Sequence, residues 1–132
     1  MREILFRGKR LDNGEWVYGS YVYRYGCHEI LLEHCESEYG FDHYAVDPAT
    51  VGQYTGLIAN GKKIFEGDIV KGIFLFGEQI LSVVKFSEGS FGLAWQRGNV
   101  EEFSPFTGMC NVEYEVIGNI YDNAELLKGG NT

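Results

Sequence analysis

The side chains in this sequence that are best suited to chemistry are two thiols and three imidazoles, which lie within one short stretch. They are Cys27, His28, His34, Cys35 and His43. Thiolate sulfur and imidazole nitrogen are the ligands that zinc prefers, so this stretch is the strongest candidate for a metal site. A structural zinc site, however, usually pairs its ligands about two to four residues apart in two places, and these five do not follow that spacing. We therefore predict a polar loop with two thiols, without a bound metal or another cofactor.

Carboxylates form a second group of candidates, for general acid–base catalysis. The group comprises Asp42, Asp47, Glu66, Asp68, Glu101 and Glu102. Catalysis would need two of them to converge in a cleft, which their spacing along the chain does not establish. Asp47 precedes Pro48 and Asp68 follows Gly67, and at such positions aspartate often bonds to the backbone of a turn. We therefore predict turn roles for these two aspartates.

Signatures of nucleophilic and phosphate-binding sites are absent from the sequence. There is no Gly-x-Ser-x-Gly and no Cys/His family signature. The segment from Gly52 to Gly56 has two glycines, but it lacks the lysine and the following helix of a P-loop. We predict no catalytic residues and no enzymatic activity. A metal-dependent hydrolase built on the histidine and cysteine stretch is the least favoured alternative.

Aromatic residues are concentrated near the N-terminus, at Trp16, Tyr18, Tyr21, Tyr23 and Tyr25. Such rings can form a platform on which nucleic-acid bases or sugars stack. Tyrosine is also simply a good sheet residue. Because the chain is acidic, packing is the favoured interpretation.

The charge of the chain argues against a broad surface for nucleic acid. Lys plus Arg is 11 and Asp plus Glu is 19 in 132 residues, so the formal net charge is −8, and the isoelectric point is near 4.8. Binding to phosphates needs clustered cations. A nucleic-acid-binding alternative would require one face to collect Arg2, Arg7, Lys9, Arg10, Lys62, Lys63 and Lys71.

The cysteines and the apolar runs predict the compartment. Cys27, Cys35 and Cys110 are odd in number and contain no Cys-x-x-Cys pair, which favours reduced thiols in a cytoplasm. The apolar run Ile4-Leu5-Phe6 is too short for a signal peptide. No apolar stretch approaches the roughly 20 residues of a membrane span. We expect a cytoplasmic protein with no membrane partner.

The elements that must position these side chains are short β-strands. The strongest local signal is Asn60-Gly61 between two apolar runs, since both residues of a tight hairpin turn need positive φ. In the strand at 16–23, Trp16 and Tyr18 face one way, whereas Tyr21 and Tyr23 face the other. Apolar or alternating runs predict the other strands, over 4–6, 30–32, 69–76, 80–86, 91–95 and 112–121.

The remaining segments are predicted as turns and connections. Turns are expected at 77–78 and 87–89, and a loop or loose hairpin over 33–42. Residues 97–110 are predicted as a connection that Phe103 and Phe106 tie to the core. A short helical turn is expected close to the C-terminus, where Gly129-Gly130 would stop it.

Three stretches of the chain resemble the YopX family. They are Arg2–Gly8 at the start, a central stretch made of Val51–Leu57, Gly61-Lys62 and Ile64–Val70, and Tyr114–Tyr121 at the end. Residues Tyr25–Tyr44 do not match in detail. The resemblance implies a small protein encoded by bacteriophages or prophages. It also implies a YopX-like, mainly β fold containing an SH3-type barrel, with additional N-terminal strands and the short C-terminal helical turn. The family has no established activity, so no site residue is implied.

Together these observations favour a single domain over residues 1–132, with sub-lobes at 1–46 and 47–128. The leading hypothesis is a non-enzymatic phage accessory protein that acts through protein contacts. Because both faces of the strand at 16–23 carry aromatic residues, we expect a self-association surface and a homo-oligomer; the alternative partner is another phage or host protein. The alternatives are a nucleic-acid-binding small barrel and, less favoured, the metal-dependent hydrolase.

Overall fold

A computed structural model describes residues 3–32, 42–73, 79–106 and 113–129, and within them the chain is mainly β-strand. Within those ranges no helix is long and apolar enough to span a membrane. The elements are, in order, β1 (Phe6–Lys9), β2 (Trp16–Arg24), β3 (Cys27–Leu32), β4 (His43–Ala45), a 3₁₀ helix (Pro48–Thr50), β5 (Gly52–Ala59), β6 (Lys62–Phe65), β7 (Asp68–Ile73), β8 (Gln79–Ser87), β9 (Ser90–Arg97), β10 (Val100–Pro105), β11 (Glu113–Asn119) and α1 (Glu125–Gly129).

The chain divides into two compact units, Met1–Gly56 and Leu57–Thr132, with the boundary inside β5. In the first unit the strands are hydrogen-bonded in the order β4-β3-β2-β1-β5. In the second unit the order is β10-β9-β8-β7-β11, and β6 pairs with the end of β5. The predictions of a mainly β fold and of a short C-terminal helix are thus confirmed. The SH3-type barrel is not confirmed, because the strands form open sheets. The division at residue 46 stays a prediction.

Three tight turns join paired strands in these units. They are Tyr25-Gly26, Asn60-Gly61 and Glu88-Gly89, and all of their φ values are positive, from 49° to 83°. Positive φ at both central residues is the requirement of the type I′ turn, whose twist matches that of the flanking strands. The predicted turns at Asn60-Gly61 and at 87–89 are confirmed. The turn predicted at 77–78 lies outside the described residues.

The core of the second unit is one apolar cluster on one face of its sheet. Cross-strand pairing brings the cluster together, because Val70 lies opposite Val116 and Val84 lies opposite Leu93, and opposed residues share a face. Phe106 packs against this cluster, so the predicted tie between residues 97–110 and the core is confirmed for this ring. The buried members are Ala59, Ile64, Val70, Val84 and Leu93.

Two predictions about the second unit are wrong in detail. Residues 97–110 contain a strand, β10, because Gly98 with a φ of 64° permits a tight return on to β9. The regular alternation expected over 112–121 is interrupted, because the register with β7 shifts between Val116 and Gly118. An extra residue at such a bulge exchanges the faces of the residues beyond it.

In the first unit, Gly19 allows β2 and β3 to approach each other closely. A Cβ atom added at Gly19 would lie 1.9 Å from the backbone oxygen of Leu31 and 2.8 Å from its carbonyl carbon. Both atoms belong to the paired strand, so they cannot move aside without disturbing the ladder. Only glycine fits at this position.

We therefore expect the substitution Gly19→Ala to lower the free energy of unfolding by about 1–3 kcal/mol or more, as overpacking does. Denaturant unfolding of the purified variant measures this. Gly26→Asn is the matched control in the same hairpin, because a Cβ atom there has no atom within 4 Å and asparagine tolerates positive φ. Equal stability of the Gly19→Ala variant and the wild type would contradict the close approach.

Candidate functional site

The structure places three of the five cysteine and histidine candidates and separates them by face. Cys27 and His28 are neighbours on β3, so their side chains point to opposite faces of the sheet. His43 lies on β4 opposite Leu31, on the same face as Cys27. In the described part of the chain, no group of three or more His, Cys, Asp or Glu side chains could hold a metal ion. The prediction of a metal-free protein stays open, because the structure does not describe His34, Cys35 and Cys110.

One face of β1, β2 and β3 carries four rings in contact, which we call the aromatic row: Phe6, Tyr21, Tyr23 and His28. The ring centres of Phe6 and Tyr21 are 5.7 Å apart. The Tyr21 and His28 rings are 5.8 Å apart and nearly parallel, at 4°. Tyr23 and His28 are 4.6 Å apart. These separations are typical of favourable aromatic pairs.

The pairing of the strands produces this row. Tyr23 lies directly opposite His28, and Phe6 lies opposite Gly19, two residues before Tyr21. Side chains two residues apart share a face, so all four rings project from the same side. The predicted separation of Tyr21 and Tyr23 from the other aromatic residues of β2 is confirmed.

The aromatic row is partly open to solvent. Tyr23 is 63% exposed, whereas Phe6, Tyr21 and His28 are half-buried. A hydrogen bond joins the Tyr21 hydroxyl to Nδ1 of His28, which fixes the two rings relative to each other. The turn that follows β2 adds Tyr25, which is 98% exposed. Rings with apolar faces and polar tips are the side chains that protein interfaces favour.

The opposite face of β3 carries an ion triad made of Arg24, Glu29 and His43. Nε of Arg24 donates to Oε1 of Glu29 at 2.9 Å, and Nδ1 of His43 forms a hydrogen bond with Oε2 of the same carboxylate. The side chain of Glu29 is only 11% exposed, whereas those of Arg24 and His43 are about half exposed. The triad therefore joins β2, β3 and β4 through one nearly buried carboxylate.

The electrostatics of the triad favour the charged form of Glu29. The hydrogen bond from Arg24 lowers the pKa of the Glu29 carboxyl below its usual range, against the opposing effect of burial, and the bond from His43 lowers it further. The same contact raises the pKa of the Arg24 guanidinium. A nearly buried charge is strongly destabilising when it lacks partners, and Glu29 has two. We interpret the triad as structural.

The other two β2 aromatics, Trp16 and Tyr18, lie on the face opposite the aromatic row, where Trp16 contacts two cations. The Arg7 guanidinium lies 4.7 Å from the centre of the Trp16 ring, and Nζ of Lys9 lies 5.5 Å from it. Both distances are those of cation–π contacts. Arg7 is itself buried, at 6% exposed. The aromatics of β2 therefore do not form one stacking platform, because they are divided between two faces, and packing stays the favoured interpretation.

The cations near the N-terminus do not gather on one face. Arg7 and Lys9 lie opposite Tyr18 and Trp16. Arg10 lies on the other face, 4.0 Å from the Tyr44 ring, and donates two hydrogen bonds to Asp12, at 2.9 and 2.6 Å. The described cations of this set in the first unit are therefore divided between two faces, Arg7 and Lys9 on one and Arg10 on the other, whereas the nucleic-acid alternative needs them on one. Arg2 is not described, and the second unit contains Lys62, Lys63 and Lys71.

The predicted turn roles of two carboxylates are confirmed. Oδ1 of Asp47 accepts the backbone N–H of Ala49 at 3.0 Å and caps the 3₁₀ helix. Oδ2 of Asp68, which is 3% exposed, accepts the backbone N–H of Phe65 at 2.8 Å. The other four carboxylate candidates are accessible: Glu101 pairs with Lys85 at 2.5 Å, and Asp42, Glu66 and Glu102 are exposed or half-buried.

Two groups seen in the structure, the ion triad and the aromatic row, were not predicted from the sequence. Arg24 and Glu29 were absent from every candidate set, although a glutamate directly before the apolar run Ile30-Leu31-Leu32 is an unusual neighbour for a buried strand. Phe6 and His28 were not assigned to the aromatic surface, because membership depends on which strands pair.

In a comparison with protein families, a family model matches nearly the whole chain. The family model described as YopX protein matches residues 5–128. No protein of curated function matches the chain. The matched range includes the aromatic row and the ion triad.

The depressed pKa of Glu29 predicts how stability depends on pH. Folding favours the ionised carboxylate of Glu29. The stability that this carboxylate contributes to the fold is therefore complete above about pH 4.3, the ordinary pKa of glutamate. It is lost as the pH falls through the lower pKa that Glu29 has in the folded state. We therefore expect wild type to be more stable than Glu29→Gln at neutral pH, and the difference to shrink below about pH 4.3. Denaturant unfolding of both proteins across the acid range measures this difference in stability.

The matched control is Glu101→Gln, which removes a half-exposed glutamate from a surface ion pair. Such pairs contribute about 0–1 kcal/mol, so this variant should stay close to wild type at neutral pH. If the difference in the free energy of unfolding between wild type and Glu29→Gln stayed constant or grew on acidification, that result would contradict the triad.

Proposed function

We propose that this chain, which belongs to the YopX family, acts by binding another protein through the aromatic row and catalyses no reaction. The partner is another phage or host protein or a second copy of the chain. The family resemblance supports the setting, a phage-encoded accessory protein in the cytoplasm of a bacterial host. The observation that carries the proposal is the partly exposed row of Phe6, Tyr21, Tyr23 and His28.

The row is suited to binding because it is already ordered. The contacts between the rings and the hydrogen bond between Tyr21 and His28 restrict the side chains before a partner arrives. Less rotamer freedom is then lost on association. Within the row, Tyr23 can contribute the most binding free energy from burial, because it is 63% exposed. Full burial of a large apolar side chain is worth about 1.5–3 kcal/mol.

The charges support a protein partner over a nucleic acid. The chain carries a net charge of −8, and the aromatic row shares its face with the carboxylate-paired Arg10. Arg7 and Lys9 contact the Trp16 ring on the other face. Among the described residues of the first unit, a phosphate backbone laid along the row would therefore meet only the carboxylate-paired Arg10 of these three cations.

We expect Tyr23→Ala to weaken the protein partner's binding at least about tenfold, as loss of an interface hot spot does. Tyr18→Ala is the matched control, because this tyrosine is in the same strand and is 45% exposed but lies on the opposite face. Light scattering over a range of concentrations detects a second copy as partner. Affinity capture from phage-infected cells, with the two variants in parallel, detects other proteins.

The two variants must give different results in these experiments. A self-associated or captured species must be lost with Tyr23→Ala and kept with Tyr18→Ala. A monomer at every concentration, together with captured proteins that do not depend on Tyr23, would overturn the proposal. Salt-dependent binding of single-stranded DNA that Tyr23→Ala abolished would instead assign the row to nucleic acid.

A further inference from the structure

The sheet of the second unit contains a groove where two neighbouring strands separate. The register of β8 with β9 begins at Val83 and Ala94 and continues toward the turn at Glu88-Gly89. Beyond that point Gln79–Ser82 pair with β7, and Trp95–Arg97 pair with β10. Residues of both segments, Gln79–Leu81 and Trp95–Arg97, line one groove of about 500 Å³, which we call the β8–β9 groove.

The two segments present unpaired strand edges to this groove. No ladder pair joins Gln79–Ser82 to Trp95–Arg97 in the part of the chain that the structure describes. The N–H and C=O groups of a strand point alternately to its two sides, so each segment directs backbone donors and acceptors away from its one partner. An unpaired edge is a template for another strand.

The walls of the β8–β9 groove are apolar in the middle and polar at the rim. Leu81, Val83 and Ala94 share one face of the sheet and line the groove. Ile120 and Leu127 from the C-terminal segment line it as well. A strand entering the groove would therefore meet apolar side chains at alternate positions, which suits a peptide with alternating apolar residues.

The rim determines the charge that an occupant should carry. Lys85 and Glu101 pair with each other at 2.5 Å, so their charges are largely balanced. Arg97 is exposed and makes no ion pair with a described residue. Among the described residues that line the groove, the charge of Arg97 is therefore the one without an opposite charge beside it, which favours a carboxylate on the bound segment.

We propose that the β8–β9 groove binds an extended peptide segment of a partner protein as an added β-strand, with alternate apolar side chains toward Leu81 and Val83 and an acidic residue beside Arg97. Main-chain hydrogen bonds to an unpaired edge supply affinity in this mode of recognition, and alternate side-chain pockets supply specificity. The site goes beyond the aromatic row and does not depend on it, so either proposal can fail alone.

The test is a selection of displayed random peptides, each long enough to form a strand, on the immobilised full chain. We expect the enriched peptides to alternate apolar and polar residues and to carry a glutamate or aspartate. The synthetic form of an enriched peptide should bind in solution and shift the backbone amide NMR signals of Gln79–Ser82 and Trp95–Arg97. N-methylation of alternate peptide amides should weaken binding about tenfold, because it removes main-chain hydrogen bonds.

A charge reversal provides the matched comparison. Arg97→Glu, at an exposed position, should weaken the binding of the selected acidic peptide at least about tenfold. This is the loss of affinity expected when a charged hydrogen bond is removed. Arg97→Lys should retain most of the affinity. Circular dichroism and thermal unfolding confirm that each variant is folded. Failure to enrich any peptide, equal affinity for Arg97→Glu, or amide shifts away from these two segments would overturn the proposal.

Discussion

The pairing of Tyr23 with His28 across the β2–β3 hairpin is the constraint on which the first unit depends. Side chains alternate along a strand, so a slip of one residue would exchange the two faces. The turn at Tyr25-Gly26, with φ values of 52° and 75°, and the close approach at Gly19 hold the register in place. One face then receives four aromatic rings, and the other receives a buried carboxylate.

The polar contacts on one face of the first unit help to position the aromatic rings on the other. Glu29 is nearly buried, and an unpaired charge there would be costly, so its bonds to Arg24 and His43 hold β2, β3 and β4 in one arrangement. That arrangement keeps Tyr21, Tyr23 and His28 side by side at 4.6–5.8 Å. A polar network on one face thus orders an aromatic surface on the other, where residues that stay partly exposed can meet a partner.

Local signals in the sequence predicted those parts of the fold that depend on local geometry. Asn60-Gly61 marks a hairpin because both residues adopt positive φ, and alternation along β2 assigns Tyr23 and Tyr18 to different faces. The partners of those side chains depend on register across strands, which no local pattern contains. For this reason His28 was missing from the predicted aromatic surface, and β10 was mistaken for a connection.

The most direct test of this account is a proton NMR measurement of through-space contacts in the first unit. We expect contacts from the His28 ring to the rings of both Tyr21 and Tyr23, together with contacts from the His43 ring to the side chain of Glu29. A Tyr23 ring in contact with the side chains of Cys27 or Glu29 instead of His28 would place the strands in another register and contradict the account.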